Sequence, residues 1–467
     1  MKKALLKTLF ILGIVIVVWV IAHQFDTGLN PKLFTRNDIP PASVDKTNGF
    51  YILWALTEPP DVDVTPDKYF ERYRALFGSQ YDEQQYIDTL DPVAVKRKYV
   101  RFQKSYNKLH LCLNNCTDLL HEVLSVRPLL QPLDPDLQVL CQRFRMMIDS
   151  KVFEDFTPIA HEARIPHLFA WIHAAKLYMA VNMLTALDGQ WETGVSNLLD
   201  MVDFGKRAIK GSRYLVVNVV SKSILSFSLE AIASLMNQTE CPASVYEMVL
   251  KRMPPLTYEE YGARKSLICE AVTFNFDYID NAYEEKPNSA FGFLGNMLLK
   301  IFLVKNQTMN DFDRMVKRYI EWEQTPPYRW KADMVGVKPI LDGSFWWVWN
   351  AGGKMLIRSY MPVRGNPNTA YMNNIISRTY RTKAQYDMVR IAAELHLKYE
   401  PGKPVQDVLP CLDSYKVSDP CSGQPYRWND QTMRLFSIGV DRVDNRGNTN
   451  IDSKGAGLDY AIPVILH

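Results

Sequence analysis

Residues 168–236 read LFAWIHAAKLYMAVNMLTALDGQWETGVSNLLDMVDFGKRAIKGSRYLVVNVVSKSILSFSLEAIASLM, and this stretch decides the fold. From Pro166 through Leu187 the residues Phe169, Ile172, Ala175, Leu177, Ala180 and Met183 recur at helical spacings. Asp188-Gly189-Gln190 breaks the pattern, and helices follow over Trp191–Ile209 and Gly211–Leu235. Helix, short glycine break, helix is an αα-hairpin. Hairpins of this kind build helical repeat arrays, but no fixed period or recurring signature is present, which favours an irregular helical domain over a solenoid. Ser221, Ser223, Ser226 and Ser228 lie among large apolar residues, where small side chains permit close helix packing; none has a neighbouring base that would mark a nucleophile.

Helical patterns continue on both sides. Pro92–Arg127 carries an apolar face from Leu109 to Leu120, and Pro128 is expected to stop it. Asp134 is placed to cap a helix that has Pro135 at its first position and runs through Met147. Pro254–Met297 and Met309–Glu323 read as further helices. Trp330–Gly365 changes character: FWWVWNAGGKMLIRSYMPV is dense in aromatics and glycines, suited either to core packing or to a ligand or partner surface. Gly352-Gly353-Lys354 falls short of a phosphate-binding loop.

The amino terminus predicts a membrane tether. Lys2, Lys3 and Lys7 accompany the apolar run to Ala22, so residues 4–22 make one spanning helix in contact with the lipid bilayer. A cleaved signal peptide is the rival, but Trp19 and His23 spoil the small-residue cleavage pattern. Positive charge before the span puts the amino terminus inside and the main domain in the periplasm or outside the cell. Of the 467 residues, 47% are hydrophobic and 22% charged, an ordinary globular balance; 54 basic against 51 acidic residues, with no basic stripe, give no support for nucleic-acid binding. Among seven cysteines, Cys411 and Cys421 bracket a short segment and are the best disulfide pair in an oxidising compartment. Cys241 with Cys269, and Cys141 with Cys112 or Cys116, are further options, beside the reading of Cys141 as a small buried hydrophobe.

Catalytic motifs are missing from the sequence. His161, His167 and His173 recur at an interval unsuited to one helix face, and HEARIPH is not a zinc-protease pattern. No nucleophile elbow, dinucleotide fingerprint or kinase set is present. Asn115, Asn237 and Asn306 open glycosylation tripeptides.

The carboxyl terminus is different again. A helix over Tyr380–Tyr399 ends at Pro401-Gly402; DPCSGQPYRW (Asp419–Trp428) gives a turn and a strand, Leu435–Val440 a second strand, and Tyr460–Ile465 an edge strand. Between the last two lies a loop, Asp441–Asp459, in which Asp441, Asp444, Asn445 and Asp452 offer hard oxygen donors spaced by glycines, as calcium requires. The alternative is a solvated turn whose Asp and Asn side chains cap their own backbone. RIAAELHLKYEPGKPVQDV, DPCSGQPYRW and LFSIGVDRVDNRG together resemble the carboxyl-terminal half of the major pseudopilin of type II secretion and related pseudopilin-like modules on secreted bacterial proteins. That resemblance covers residues 380–467 and implies a helix packed on a small sheet with calcium in the final loop. It makes Asp441, Asp444 and Asp452 the side-chain ligands, with Asn445 as a further candidate. MKKALLK lacks the prepilin start, so polymerisation through the first helix is not expected.

The expected architecture is mainly α: 1–24 a cytoplasmic stub and anchor, 25–47 a linker, 48–330 a helical domain, 331–379 an aromatic and glycine-rich connection, 380–467 an α+β module. The expected function is a non-enzymatic scaffold or interaction protein with protein partners in a bacterial envelope, in a secretion or surface-filament assembly. The competing classes are an envelope hydrolase and a glycan- or lipid-binding protein, the last needing an open aromatic platform near Phe345–Trp349.

Overall fold

The structure, a computed structural model, describes residues 34–40, 47–56, 119–157, 166–275, 279, 305–330, 371–448 and 459–466. Residues 4–22, His161, the aromatic run 345–349, Cys112, Cys116 and Asp452 lie outside the described residues. The described chain is mostly helical, with a three-stranded antiparallel sheet near its carboxyl end.

The helices are α1 (Phe50–Ala55), α2 (Leu119–Ser125), α3 (Pro135–Asp149), α4 (Leu168–Leu187), α5 (Trp191–Gly211), α6 (Leu215–Met236), α7 (Ala243–Arg252), α8 (Arg264–Thr273), α9 (Lys305–Gln324) and α10 (Tyr371–Lys398). Pro128 does not simply end a helix; it sits in the first turn of the short helical segment Arg127–Leu130, where a missing N–H costs nothing. Asp134 caps α3 as expected, its Oδ1 accepting the Asp136 N–H at 3.0 Å. His167 caps α4: its Nδ1 accepts the Ala170 N–H at 3.3 Å. Gly189, at φ +91°, ends α4 in the left-handed conformation, and its N–H reaches the Ala186 carbonyl at 2.9 Å.

The α4–α5–α6 hairpins form the centre. α4 and α6 bury side chains on nearly all sides, whereas α5 buries one face and leaves Asp200 and Asp203 on the other to meet Arg145, Arg252 and Lys206. Gly194 marks the closest crossing: a Cβ there would sit 2.5 Å from the Asn182 carbonyl oxygen of α4. The serines of α6 have a structural use, since Ser221 Oγ donates to Val217 O at 2.7 Å and Ser228 Oγ to Leu225 O at 2.8 Å. Asp155, fully buried, receives the Arg213 and Tyr214 N–H groups and so fixes the α5–α6 turn. α6 is the described helix long and apolar enough to cross a membrane. Its flanks are nevertheless taken up by α4, α5 and α10, which makes it a core helix here.

α10 begins at Tyr371, upstream of the expected start at Tyr380, and packs against α6 and α7. The sheet lies beyond it: β1 (Arg427–Asn429), β2 (Arg434–Ser437) and β3 (Tyr460–Pro463), in the order β1-β2-β3. Trp428 pairs with Leu435, and Leu435 with Ile462, so these three share the face turned to the core. One continuous hydrophobic cluster runs from Phe50 of α1 to Val464 after β3.

Leu199 of α5 and Leu215 of α6 are each only 1% exposed. Truncating either to alanine should destabilise the protein by roughly 2–5 kcal/mol, read as a lowered midpoint in denaturant. Unchanged midpoints in both variants would contradict this packing.

Candidate functional site

The surface of the carboxyl-terminal module is built on a turn held by one carboxylate. Asp419, 1% exposed, accepts Cys421 N–H (2.9 Å) and Ser437 Oγ–H (2.7 Å) on Oδ1, and Ser422 N–H (3.2 Å) on Oδ2. Its backbone N–H reaches Gln424 O at 2.8 Å, and the Gly423 N–H returns to Asp419 O at 2.8 Å. Gly423, at φ +70°, makes the reversal and lies against the Tyr328 ring. This corrects the expected Cys411–Cys421 disulfide: both thiols are free. Cys421 is buried beside Asp419 and Ser437, its thiol pushed up by burial, while Cys411 is exposed with its sulfur over the Asp407 carbonyl. The turn needs no bond, because Asp419 already ties both its arms to β2. Cys141, Cys241 and Cys269 are free as well.

In the terminal loop the described members of the anticipated donor set each make their own local contacts. Asp444 pairs with the Arg427 guanidinium of β1 and accepts the Arg446 N–H at 2.8 Å. Asp441 accepts the Val443 N–H at 3.2 Å, and burial pushes its carboxyl up. Asn445 spends its side-chain amide on Val443 O at 3.3 Å. These are capping contacts of the solvated-turn kind. Among the described residues no three acidic, histidine or cysteine side chains form a metal-holding group. The residue that sequence reasoning missed is Asp459, 2% exposed. Its Oδ2 accepts Gly447 N–H (2.7 Å) and Asn445 N–H (3.1 Å), but its Oδ1 is buried with no hydrogen-bond partner among the described residues. Burial pushes this carboxyl up to about 6; the two N–H groups oppose the shift, and the charges of Asp444 and Asp441 add to it. The signal in the sequence is modest: an acid placed directly before the apolar strand YAIPV.

Beside the loop an open groove of about 630 Å³ follows β1. Pro425 to Gln431 line it without interruption, joined by Leu409 and Tyr415 from the preceding segment, Phe436 of β2, and Asp444 and Arg446 of the terminal loop. The Trp428 indole N–H donates to Asp430 Oδ1 at 2.7 Å, and Gln406 Nε2 donates to Asp430 Oδ2 at 2.7 Å, so the ring is held in place.

Elsewhere the buried polar groups join helices. Lys222 Nζ of α6 donates to Thr379 Oγ1 of α10 at 2.6 Å, and Thr379 Oγ1 donates to Glu323 Oε1 of α9 at 2.9 Å. Glu323 also receives the Tyr258 hydroxyl and the Ala263 N–H. Burial pulls the Lys222 ammonium down to about 8, with Glu323 resisting. Of the histidines considered as ligands, His167 serves as a helix cap, and burial pulls His173 down to about 4. Asn237 is no free acceptor for a glycan: its Nδ2 donates to Pro463 O at 3.0 Å and its Oδ1 accepts the Ile465 N–H at 2.9 Å.

Compared with protein-family models, curated proteins and solved structures, the chain matches none.

The module is locked to α10 by Glu394, whose carboxylate accepts Lys398 Nζ (2.6 Å), Asp413 N–H (3.0 Å), Ser414 N–H (2.7 Å) and Ser414 Oγ–H (2.6 Å). Burial pushes the carboxyl up, but these donors together outweigh it and hold Glu394 at about 2, below its ordinary 4.5. A depressed carboxyl stabilises the fold above its unfolded value and loses that contribution as pH falls toward the folded one. Glu394→Gln should therefore cost about 2 kcal/mol at neutral pH. The gap from wild type should close as pH falls from about 4.5 toward 2, read from denaturant midpoints across that range. A pH-independent gap would refute the ionic account.

Proposed function

We propose that the chain is a non-enzymatic scaffold or interaction protein of a bacterial envelope, tethered to the cytoplasmic membrane through residues 4–22 with its body outside. The observation that carries this reading is the attachment of the terminal module. α10 is both the first helix of the module and a core neighbour of α6 and α7, so whatever binds the module's surface is held at a fixed position on the body. That suits positioning. The large polar clusters among the described residues tie helices to one another, which is also the economy of a scaffold.

Calcium belongs to the same proposal. The fit rests on Asp459 Oδ1, a buried carboxylate oxygen with no partner among the described residues, near the charges of Asp441 and Asp444. Hard oxygens gathered in a glycine-bearing loop suit calcium, which tolerates irregular shells, better than magnesium. Asp441, Asp444, Asn445 and Asp452 are the ligands expected from the sequence, and Asp459 joins them; the described carboxylates do not form a ligand group by themselves, so calcium would have to draw them together, offsetting their mutual repulsion.

Two measurements test the proposal. A photo-crosslinking residue in place of exposed Gln431, in the full chain in intact membranes, should yield adducts with an envelope protein by mass spectrometry. If neither this position nor lysine-directed crosslinkers give protein adducts, the scaffold reading fails. Purified full-length chain should melt at a higher temperature in calcium than in magnesium or chelator, by mass action on the folded state. Asp459→Asn should remove that difference; a melt indifferent to calcium in the folded wild type would dismiss the metal.

A further inference from the structure

The two edges of the sheet are treated differently. At β3, Asn237 donates to Pro463 O (3.0 Å) and accepts from Ile465 N–H (2.9 Å), so a side chain covers that edge. The same bonds fix the polarity of the whole ladder. Neighbouring residues in an antiparallel strand point their N–H and C=O groups to opposite sides. Pro463 and Ile465 point outward, and Val464 points inward, its N–H reaching Met433 O at 2.9 Å. Met433, Leu435 and Ser437 therefore address β3, and Arg434 and Phe436 address β1. Arg427 and Asn429 answer them across the β1–β2 ladder. Tyr426 and Trp428 must then face away from the sheet. Tyr426 does: its carbonyl accepts the Tyr415 hydroxyl at 2.6 Å. The N–H and C=O of Trp428 have no partner among the described residues and open on the groove.

The groove has the geometry of that edge. Side chains alternate across a strand, so a hollow on one face of the sheet would be lined by every second residue. Here every residue from Pro425 to Gln431 lines it, which means it runs along the edge itself. Its two walls differ. The core side offers Leu409, Tyr415 and the fixed Trp428 ring. The opposite side offers Arg427 with its partner Asp444, Asn429 and Arg446, above the Phe436 ring of β2. Arg427 is already paired with Asp444, whereas the exposed Arg446 guanidinium has no acidic partner among the described residues.

We infer that the open edge of β1 docks an extended segment of a partner protein in which apolar and acidic residues alternate. The segment adds a strand beside Trp428, exchanging hydrogen bonds with its N–H and C=O; its apolar side chains meet Trp428, Tyr415 and Leu409, and its acidic ones meet Arg446. Backbone pairing supplies affinity, and the unlike walls set which way the side chains face. This names the partner chemistry within the interaction reading above and rests on it.

The test titrates the full-length chain into a fluorescein-labelled heptapeptide of alternating valine and glutamate, followed by anisotropy, with and without calcium. Saturable binding is expected. The same peptide with lysine for glutamate, or with alternate backbone nitrogens methylated, should bind at least about tenfold more weakly. Arg446→Glu, an exposed change, should reverse the preference between the glutamate and lysine peptides. No saturable binding by any peptide, or equal binding of the methylated one, overturns the inference. A dimer in sedimentation that is lost in Arg446→Glu assigns the edge to a second copy and overturns it too. Crosslinked adducts at Gln431 without peptide binding would remove strand capture alone and leave the interaction reading in place.

Discussion

A helix that is apolar on most of its sides has to be covered on most of them. α6 is that helix, and its coverage organises the molecule. α4 and α5 close over part of it as a hairpin, which local sequence can arrange. What remains is closed by α10, from the far end of the chain. Burying the α6 stripe at roughly 25 cal/mol per Å² of apolar area is worth far more than the polar contacts around it. The middle of the chain and its carboxyl-terminal part are therefore drawn together by one requirement, and the carboxyl-terminal sheet inherits its position from α10.

Polar groups make this assembly specific. Apolar surfaces slide, but Lys222, Thr379 and Glu323 fit together in one register of α6, α9 and α10. Leaving any of them unpaired in the interior costs more than the pairing gains, so the cluster penalises wrong packings more than it rewards the right one. Glu394 and Asp419 repeat the device on a smaller scale. Each collects several donors from a turn and ties it to a helix or a strand.

The hairpin elements were legible because local signals act locally. Periodic apolar residues, Asp134 with Pro135, and the Asp188-Gly189 break each fix structure within a few residues of themselves. The three strands were legible from alternation and their turn residues. What was hidden depends on distant partners. Lys222 and Thr379 stand 157 residues apart, and nothing near either one announces the other. The first turns of α10 were missed because Asn373, Asn374, Ser377 and Arg378 dilute the apolar signal, although Ile375 and Ile376 are buried against the body. The Cys411–Cys421 expectation failed for a related reason: nearness along the chain says nothing about which residue holds the turn, and Asp419 holds it. In the terminal loop, Asp441 and Asp444 could be read as oxygen donors, but the isolation of Asp459 comes from burial, which a linear pattern does not show.

The loop and the open edge share a residue, and that gives them a physical connection. Asp444 is held by Arg427 of β1, while its charge also bears on Asp459 ahead of β3. A divalent cation at Asp459 would compete with the Arg427 guanidinium for the same carboxylate. If Asp444 turned to such a cation, Arg427 would join Arg446 as a second unpaired positive charge along the groove wall, which would favour the acidic strand proposed above. With Asp444 left on Arg427, that wall carries a neutralised pair beside a single arginine. Direct contact between two sites usually transmits little, because exposed ion pairs are weak. The backbones on both sides are held, Arg427 by its ladder with Phe436 and the loop by the bonds of Gly447 and Asn445 to Asp459, while the paired side chains themselves are exposed. The Arg427–Asp444 pair is thus the point where the terminal loop meets the groove along β1.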